Sequence, residues 1–275
     1  MNKKILITGS NGFIGKNLVD QLKNKYSITE INKKNINLLN SKDVDNFFLI
    51  NNKYFDLVIH TAVEGGRRTK ADDSIIVNNN LLMLYNLLNN QKYYKKIITL
   101  GSGAELDRRF DINQDSINRY PIDPYGLSKS VINKICQTEN KLHNFRIYNC
   151  FGINEKEDRM IRNNINRYTN HKNIIIHKDK KMDFFYIDDL IKLIIYFIDN
   201  DNMPKIFDCC YKNKTTLTDI ANIINHLDIH KVKIIIEDPI EHDKDYCGVF
   251  TETSINFIGL KKAISIIYNT HKQKN

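Results

Sequence analysis

The chain has 275 residues, a formal charge of +9 and a hydrophobic fraction of 41%, enough for one large α/β domain, with or without an appended lobe, and for a core that needs no covalent staples. No apolar run approaches the ~20 residues of a membrane span, the stretch Ile5-Leu6-Ile7-Thr8 is too short for a signal peptide, and the five cysteines lack any C-x-x-C spacing, so no disulfide framework and no metal site is expected and a reducing cytoplasm fits. Lysines and arginines are spread along the chain with no basic block alternating with aromatics, which argues against nucleic acid as a partner and leaves attraction for phosphorylated small molecules or, for most of these lysines, plain solvated surface.

Short apolar strands alternate with amphipathic helical stretches to about residue 150. Residues 4–8, 27–31, 57–60, 97–100 and 146–148 read as strands. Residues 12–23, 75–88 and 124 to about 142 read as helices, the last opened by Pro124, since proline suits a first turn. Beyond Gly152 the rhythm loosens into helix 159–168, strand 174–176, helix 188–198, strand 206–209, helix 217–227, strand 232–236 and a terminal helix from Leu260.

The first strand runs into Gly9-Ser10-Asn11-Gly12-Phe13-Ile14-Gly15, three glycines spaced G-x-x-G-x-x-G ahead of a helix. Glycine permits the tight turn and lets the backbone approach a pyrophosphate, and the helix offers unbonded amides and a positive dipole end. At the first strand–helix junction of an α/β chain this predicts a dinucleotide site formed by Gly9, Asn11, Gly12, Phe13, Ile14 and Gly15. The expected fold class is therefore α/β: a Rossmann-type doubly wound parallel sheet over residues 1–152, with a smaller, interleaved substrate-binding lobe over 153–275. After the second strand the chain reads Glu30-Ile31-Asn32-Lys33-Lys34. Lys33 and its neighbour suit a 2′-phosphate and hence NADP(H). If the strand ended early, Glu30 would instead take the ribose hydroxyls and NAD(H) would follow.

Tyr125-Gly-Leu-Ser-Lys129 is Y-x-x-x-K, whose ends share a helix face at i and i+4. Lys129 can hold the nicotinamide ribose and stabilise the phenolate, and Tyr125 can exchange a proton with a carbonyl or alcohol oxygen. Ser102 closes the fourth strand, where its hydroxyl can bond the same oxygen. His60, in His60-Thr61-Ala62, ends the third strand; cofactor-wall packing by His60 and Ala62 is preferred over catalysis. The loop Glu64 to Arg68 reads either as a substrate contact or as solvated surface. Tyr120, Tyr148, Phe151 and Tyr186 read as core or wall.

These residues make the chain resemble, over nearly its whole length, the extended short-chain dehydrogenase/reductases, the NAD-dependent epimerase/dehydratase family. Asn80 matches the family asparagine on the helix before the catalytic strand, on the cofactor side. Arg146-Ile-Tyr-Asn149-Cys-Phe-Gly152 is similar to the family's R-x-x-N-x-x-G, whose asparagine approaches substrate, and Asp183-Phe184-Phe-Tyr186-Ile-Asp188 to its D-F-x-Y-V-x-D. Within the family the pattern is nearest that of the GDP-L-fucose synthase-like 4-ketoreductases, carried by the stretch Asn37 to Phe48 and by Gly65-Gly66. The resemblance implies NADPH, a 4-keto-6-deoxy sugar on a nucleoside diphosphate and a homodimer.

The departures narrow the chemistry. Ala104 stands where the fucose synthases have a cysteine, and no histidine occurs near Arg159 and Met160, so C3/C5 epimerisation is not expected. Ser102-Gly103-Ala104 replaces the T-D-E of the 4,6-dehydratases, with Glu105 one position too late. Met182 replaces the frequent arginine before D-F, for which Lys181, Arg159 or Arg162 are the candidate substitutes at the diphosphate. Ser102, Gly103, Asn149, Arg159 and Arg162 make up the expected substrate set. Reduction of a 4-ketone, in the synthesis of polysaccharide precursors, is the expected reaction, with NAD-dependent 4-epimerisation second. A catalytically silent cofactor binder and an RNA-binding relative of the fold are remoter readings.

Overall fold

Parallel strands buried on both faces must be nearly continuous in apolar residues, and β1 (Lys4–Thr8) is: Ile5, Leu6 and Ile7 are fully buried. In the computed structural model, which describes residues 2–66, 71–107, 119–200, 202–238 and 244–274, this strand is an interior strand, second from one edge, of a six-stranded sheet. In chain order there follow α1 (Phe13–Leu22), β2 (Ser27–Ile31), α2 (Ser41–Asn51), β3 (Phe55–His60), α3 (Ile75–Leu88), β4 (Tyr94–Ser102), α4 (Pro124–Thr138) and β5 (Leu142–Ile147). The remaining elements are β6 (Cys150–Phe151), α5 (Met160–Thr169), β7 (Ile174–Ile176), β8 (Phe185–Tyr186), α6 (Ile187–Asp199), β9 (Ile206–Cys209), α7 (Leu217–Asn225), β10 (Ile234–Ile236) and α8 (Leu260–Lys274).

The chain divides into two compact units, Met1–Arg146 with Phe197–Phe207, and Ile147–Tyr196 with Asp208–Asn275. The large sheet has the order β2-β1-β3-β4-β5-β9, and β1 pairs in parallel with β2 and with β3, as β3 does with β4. The fold is thus the expected Rossmann-type α/β architecture. From β1 the chain steps outward to β2, then returns to place β3 on the other side. That reversal is a topological switch point, where the connections at the carboxyl ends of β1 and β3 part and leave a crevice.

In the first unit Val44 and Phe48 of α2, Met83, Leu84 and Leu87 of α3, and Ile132 and Cys136 of α4 form one core with Leu6, Val58 and Ile97 of the sheet. Each such large side chain contributes about 1.5–3 kcal/mol by leaving water. Four features differ from the sequence reading here. Helix α2 was not expected: only Val44 and Phe48 are buried while Leu49 and Ile50 are 65% and 81% exposed, which blurs the period, and the capping by Asn40 Oδ1 of the Lys42 and Asp43 amides supplies the start signal. Helix α4 stops at Thr138 rather than near 142, and β5 begins at Leu142, four residues before the expected strand. Its polar His143 and Asn144 hid it; both are buried, His143 Nδ1 lying 2.8 Å from the Pro204 carbonyl and Asn144 bonding Glu105. Tyr120 is not core: it is 47% exposed, with the Lys134 ammonium 3.7 Å above its ring.

In the second unit β7 pairs with β10, and β6 with β8, both in parallel. Asn164 of α5 bonds both Ile175 N–H and C=O, fixing the helix against β7. Asp189, at the start of α6, accepts the amides of Ile258 and Gly259 and the Tyr211 hydroxyl. Among the described residues no helix is long and apolar enough to cross a membrane.

Candidate active site

The crevice of the first unit is built by close backbone approach. Gly9 follows β1 at φ +69°, and a Cβ there would lie 2.6 Å from the Ala62 nitrogen beyond β3. Gly12 N–H donates to Gly9 C=O at 2.9 Å, closing the turn. A Cβ on Gly15 would lie 2.3 Å from the Gly9 oxygen, so α1 is seated directly on the turn. Thr61 Oγ1 donates to the Thr8 carbonyl at 2.7 Å and locks the β3 end beside it. Gly12 caps α1 without a side-chain acceptor, and its neighbours Asn11, Phe13 and Ile14 are exposed or half-buried. A cradle that any Cβ would fill, facing an uncapped helix start, fits a dinucleotide pyrophosphate.

Strand β2 continues through Ile31, so Glu30 lies inside the ladder, opposite Ile7, rather than after it. The residue that follows is Asn32, whose side-chain amide donates to Ser10 Oγ at 3.3 Å. Lys33, with its side chain 83% exposed, pairs with Glu64 at 2.8 Å. Lys33 and Asn79 together hold the Glu64 carboxyl below the usual range.

Ser102 is the last residue of β4, and its Oγ accepts the Ala104 amide at 3.2 Å in the turn Gly103–Glu105. Asp123 caps α4 by accepting the Gly126 amide, and Pro124 takes the first helical position, so Tyr125 falls in the first turn. A Cβ on Gly126 would lie 2.6 Å from the Ala104 carbonyl oxygen, which brings that turn of α4 onto the Ser102 turn. One helical turn on, buried Lys129 donates to the Leu100 carbonyl of β4, 2.6 Å away, with its ammonium 5.7 Å from the Tyr125 ring centroid. Burial pushes the Lys129 ammonium down to about 8. His60 is buried too and pushed down to about 3, first by desolvation and then by Lys129, so it is neutral; its Nδ1 lies 2.7 Å from Thr8 Oγ1.

Asn80 is a tie rather than an open contact. Its Oδ1 accepts the Glu64 amide at 2.8 Å, and its Nδ2 donates to the Glu64 carbonyl and to Ser128 Oγ. Gly66 lies against Tyr125: a Cβ there would be 2.9 Å from the ring. Arg67 and Arg68, of the same loop, lie outside the described residues.

Ser102 and Gly103 of the substrate set belong to the first unit; Asn149, Arg159 and Arg162 belong to the second. Asn149 adopts φ +44°, and its amide donates to the Asp183 carbonyl at 3.0 Å, so the R-x-x-N-x-x-G and D-F-x-Y segments meet. Arg159 caps α5, its Nε 4.0 Å from Glu155. Burial pushes the Glu155 carboxyl up to about 8, against the pull of Arg159 and Arg162. Met182 is buried and apolar, whereas Lys214, unflagged by sequence because it is distant along the chain, pairs with Asp183 at 2.7 Å. Glu105, one position too late for the dehydratase pair, turns its carboxylate into the interior, where Arg146 Nε lies 2.6 Å away. Among the described residues no group of three or more potential ligands could hold a metal ion.

A doubly wound sheet with this cradle at its switch point defines a dinucleotide-binding protein of the Rossmann type. The family model for the NAD dependent epimerase/dehydratase family matches residues 5–210. The chain belongs to that family, as the motif resemblance implied. It is 27% identical, over 98% of its length and 99% of the relative's, to a Methanocaldococcus jannaschii protein that carries the provisional name UDP-glucose 4-epimerase. Its fold matches a GDP-mannoheptose C4 reductase from Campylobacter jejuni with NADP bound, at TM-score 0.78 and 16% identity over 98% of both chains. It also matches a UDP-glucuronic acid 4-epimerase from Bacillus cereus in complex with UDP-glucuronic acid and NAD, at TM-score 0.76 and 18% identity over 99% of this chain and 100% of that one.

Proposed function

We propose that the chain is an NADPH-dependent reductase of a nucleoside-diphosphate-linked 4-keto-6-deoxy sugar, without C3/C5 epimerase activity. The observation that carries this reading is the composition of the wall where α4 meets the Ser102 turn. Ser102, Tyr125 and Lys129 are there, Ala104 supplies no acid or base, and the nearby carboxylate of Glu105 is committed to Arg146. Such a wall supports proton exchange at one oxygen and no second deprotonation at carbon.

When bound, the nicotinamide supplies the hydride. Gly9, Gly12, Gly15 and the first turn of α1 hold the pyrophosphate, with Ala62 and neutral His60 packing along the cofactor wall. Lys33, swung away from Glu64, reaches a 2′-phosphate. Tyr125 holds the proton that the substrate oxygen takes, Lys129 stabilises the phenolate left behind, and Ser102 orients the oxygen. The second unit takes the nucleotide and sugar, with Asn149 near the sugar and Arg159, Arg162 and Lys214 as candidate cations for the diphosphate. A screen of NADPH consumption against GDP-, dTDP-, UDP- and CDP-linked 4-keto-6-deoxy sugars tests the reading, and no turnover with any of them overturns it.

NADPH is expected to bind more tightly than NADH, because no acidic residue occurs from Asn32 to Asn40 and Glu30 is held inside β2. Calorimetric titration checks this; NADH tighter by about tenfold, a difference of about 1.4 kcal/mol, would overturn it.

Turnover in deuterated water is expected to leave C3 and C5 of the sugar unlabelled, since Ala104 replaces the cysteine that would exchange those protons. Mass spectrometry of the product reads this directly, and enzyme-dependent label at either carbon refutes it. The name carried by the archaeal relative favours one second reading, 4-epimerisation by oxidation and re-reduction. NAD retained through purification, with interconversion of the C4 epimers of a nucleotide sugar, would select it.

A further inference from the structure

Lys33 follows β2 and Glu64 follows β3, the two strands that flank β1. Their side chains nevertheless meet, with Lys33 Nζ 2.8 Å from Glu64 Oε1. The pair is therefore a strap across the carboxyl end of β1, beside the glycine turn, where the crevice opens. Its two ends are held unequally. Asn79 Nδ2 donates to Glu64 Oε2 at 2.8 Å, and Asn80 clamps the Glu64 main chain, accepting its amide at 2.8 Å and donating to its carbonyl at 3.0 Å. Asn80 is anchored in turn on Ser128 Oγ of α4, 3.1 Å away. Among the described residues the Lys33 ammonium bonds Glu64 alone, and the lysine side chain is 83% exposed on its flexible stem. The carboxylate is the fixed partner, and the lysine is the one that swings.

We propose that Glu64 is a positioning residue that sets cofactor selectivity through Lys33, as a resident anion with which the 2′-phosphate competes. This rests on the reading of Lys33 as the partner of that phosphate. Lys33 has three N–H donors but a single charge. A phosphate monoester brings about −1.5 to −2 charges at neutral pH, to a place where the carboxylate already stands. Lys33 then either leaves Glu64 or holds two anions together against their repulsion, and each course weakens NADPH. NADH presents a neutral hydroxyl there and leaves the strap closed. Glu64 therefore narrows the preference for NADPH that Lys33 by itself would give. An exposed pair of this kind acts by a few-fold rather than by orders of magnitude.

The test is calorimetric titration of the whole chain with NADPH and with NADH, in wild type, Glu64→Gln, Lys33→Met and the double variant. Glu64→Gln keeps an oxygen for Asn79, and the Asn80 bonds run to the main chain, so the loop keeps its supports. In Glu64→Gln the Kd for NADPH is expected to fall about two- to fivefold, with the Kd for NADH unchanged. In the Lys33→Met background the same change is expected to give no such gain, since it is the released lysine that supplies it. NADPH unchanged or weakened in Glu64→Gln, or NADH tightened equally, overturns the proposal. So does a gain kept in full without Lys33, which would mean direct repulsion between Glu64 and the phosphate. NADH weakened in Glu64→Gln overturns it as well, and makes Glu64 a ribose ligand. Lys33→Met separates the two levels of the reading. If it leaves NADPH affinity untouched, the assignment of the 2′-phosphate to Lys33 falls, and the role of Glu64 with it. If it weakens NADPH while Glu64→Gln brings no gain, the role of Glu64 alone falls.

Discussion

Tyr125→Phe is expected to lower kcat by ~10²–10⁴-fold, the usual contribution of a positioned general acid, while NADPH affinity and the melting temperature stay near wild type. The hydroxyl is the only group removed. The ring remains between Gly66 and the Lys129 ammonium, and the glycine cradle is untouched. Lys129→Met is expected to damage both rate and NADPH affinity, since that lysine also serves the ribose, and it removes a bond to the Leu100 carbonyl. Ser102→Ala is expected to cost less than Tyr125→Phe, because a serine hydroxyl orients the oxygen without giving up its proton. Steady-state and single-turnover kinetics on a substrate from the nucleotide-sugar screen read the order. If chemistry is rate-limiting and Tyr125→Phe keeps more than about a third of wild-type kcat, a loss far below the ~10²-fold floor of a positioned general acid, another group donates the proton.

Gly15→Ala is expected to weaken NADPH by about tenfold or more and to destabilise the fold by about 1–3 kcal/mol. The added methyl would meet the Gly9 carbonyl oxygen at 2.3 Å and Thr61 Oγ1 at 2.8 Å. A backbone carbonyl inside a turn that also packs on Ala62 cannot step aside, so α1 must move off the turn and take its first-turn amides with it. Gly12→Ala meets only the Gly9 oxygen, at 3.2 Å, and is expected to cost less stability. Thermal melts and calorimetric NADPH titrations of the two variants separate the effects. Equal melting of Gly15→Ala and wild type would show that the helix is not seated as described.

Features that depend on near neighbours along the chain are legible in the residues alone. The glycine run after β1 is legible because a left-handed turn at Gly9 and a close strand–helix contact at Gly15 demand glycine within seven residues, with Gly12 at the helix start between them. Tyr125 and Lys129 are legible because a helix repeats its face every three to four residues, and Pro124 marks the start of that helix. Strands such as β2, β7 and β9 and helix α3 fall where the apolar pattern puts them, since burial there follows the period of one element. Features that depend on distant partners are not. His143 and Asn144 sit in β5 because partners 61 and 39 residues away satisfy them. Glu105, read in sequence only as a carboxylate one position too late for acid–base work, turns into the interior because Asn144 and Arg146 arrive from β5 and Gly101 leaves room. A buried polar group is tolerated only where its bonds are met, and those bonds are made by residues that the chain brings together after it has folded.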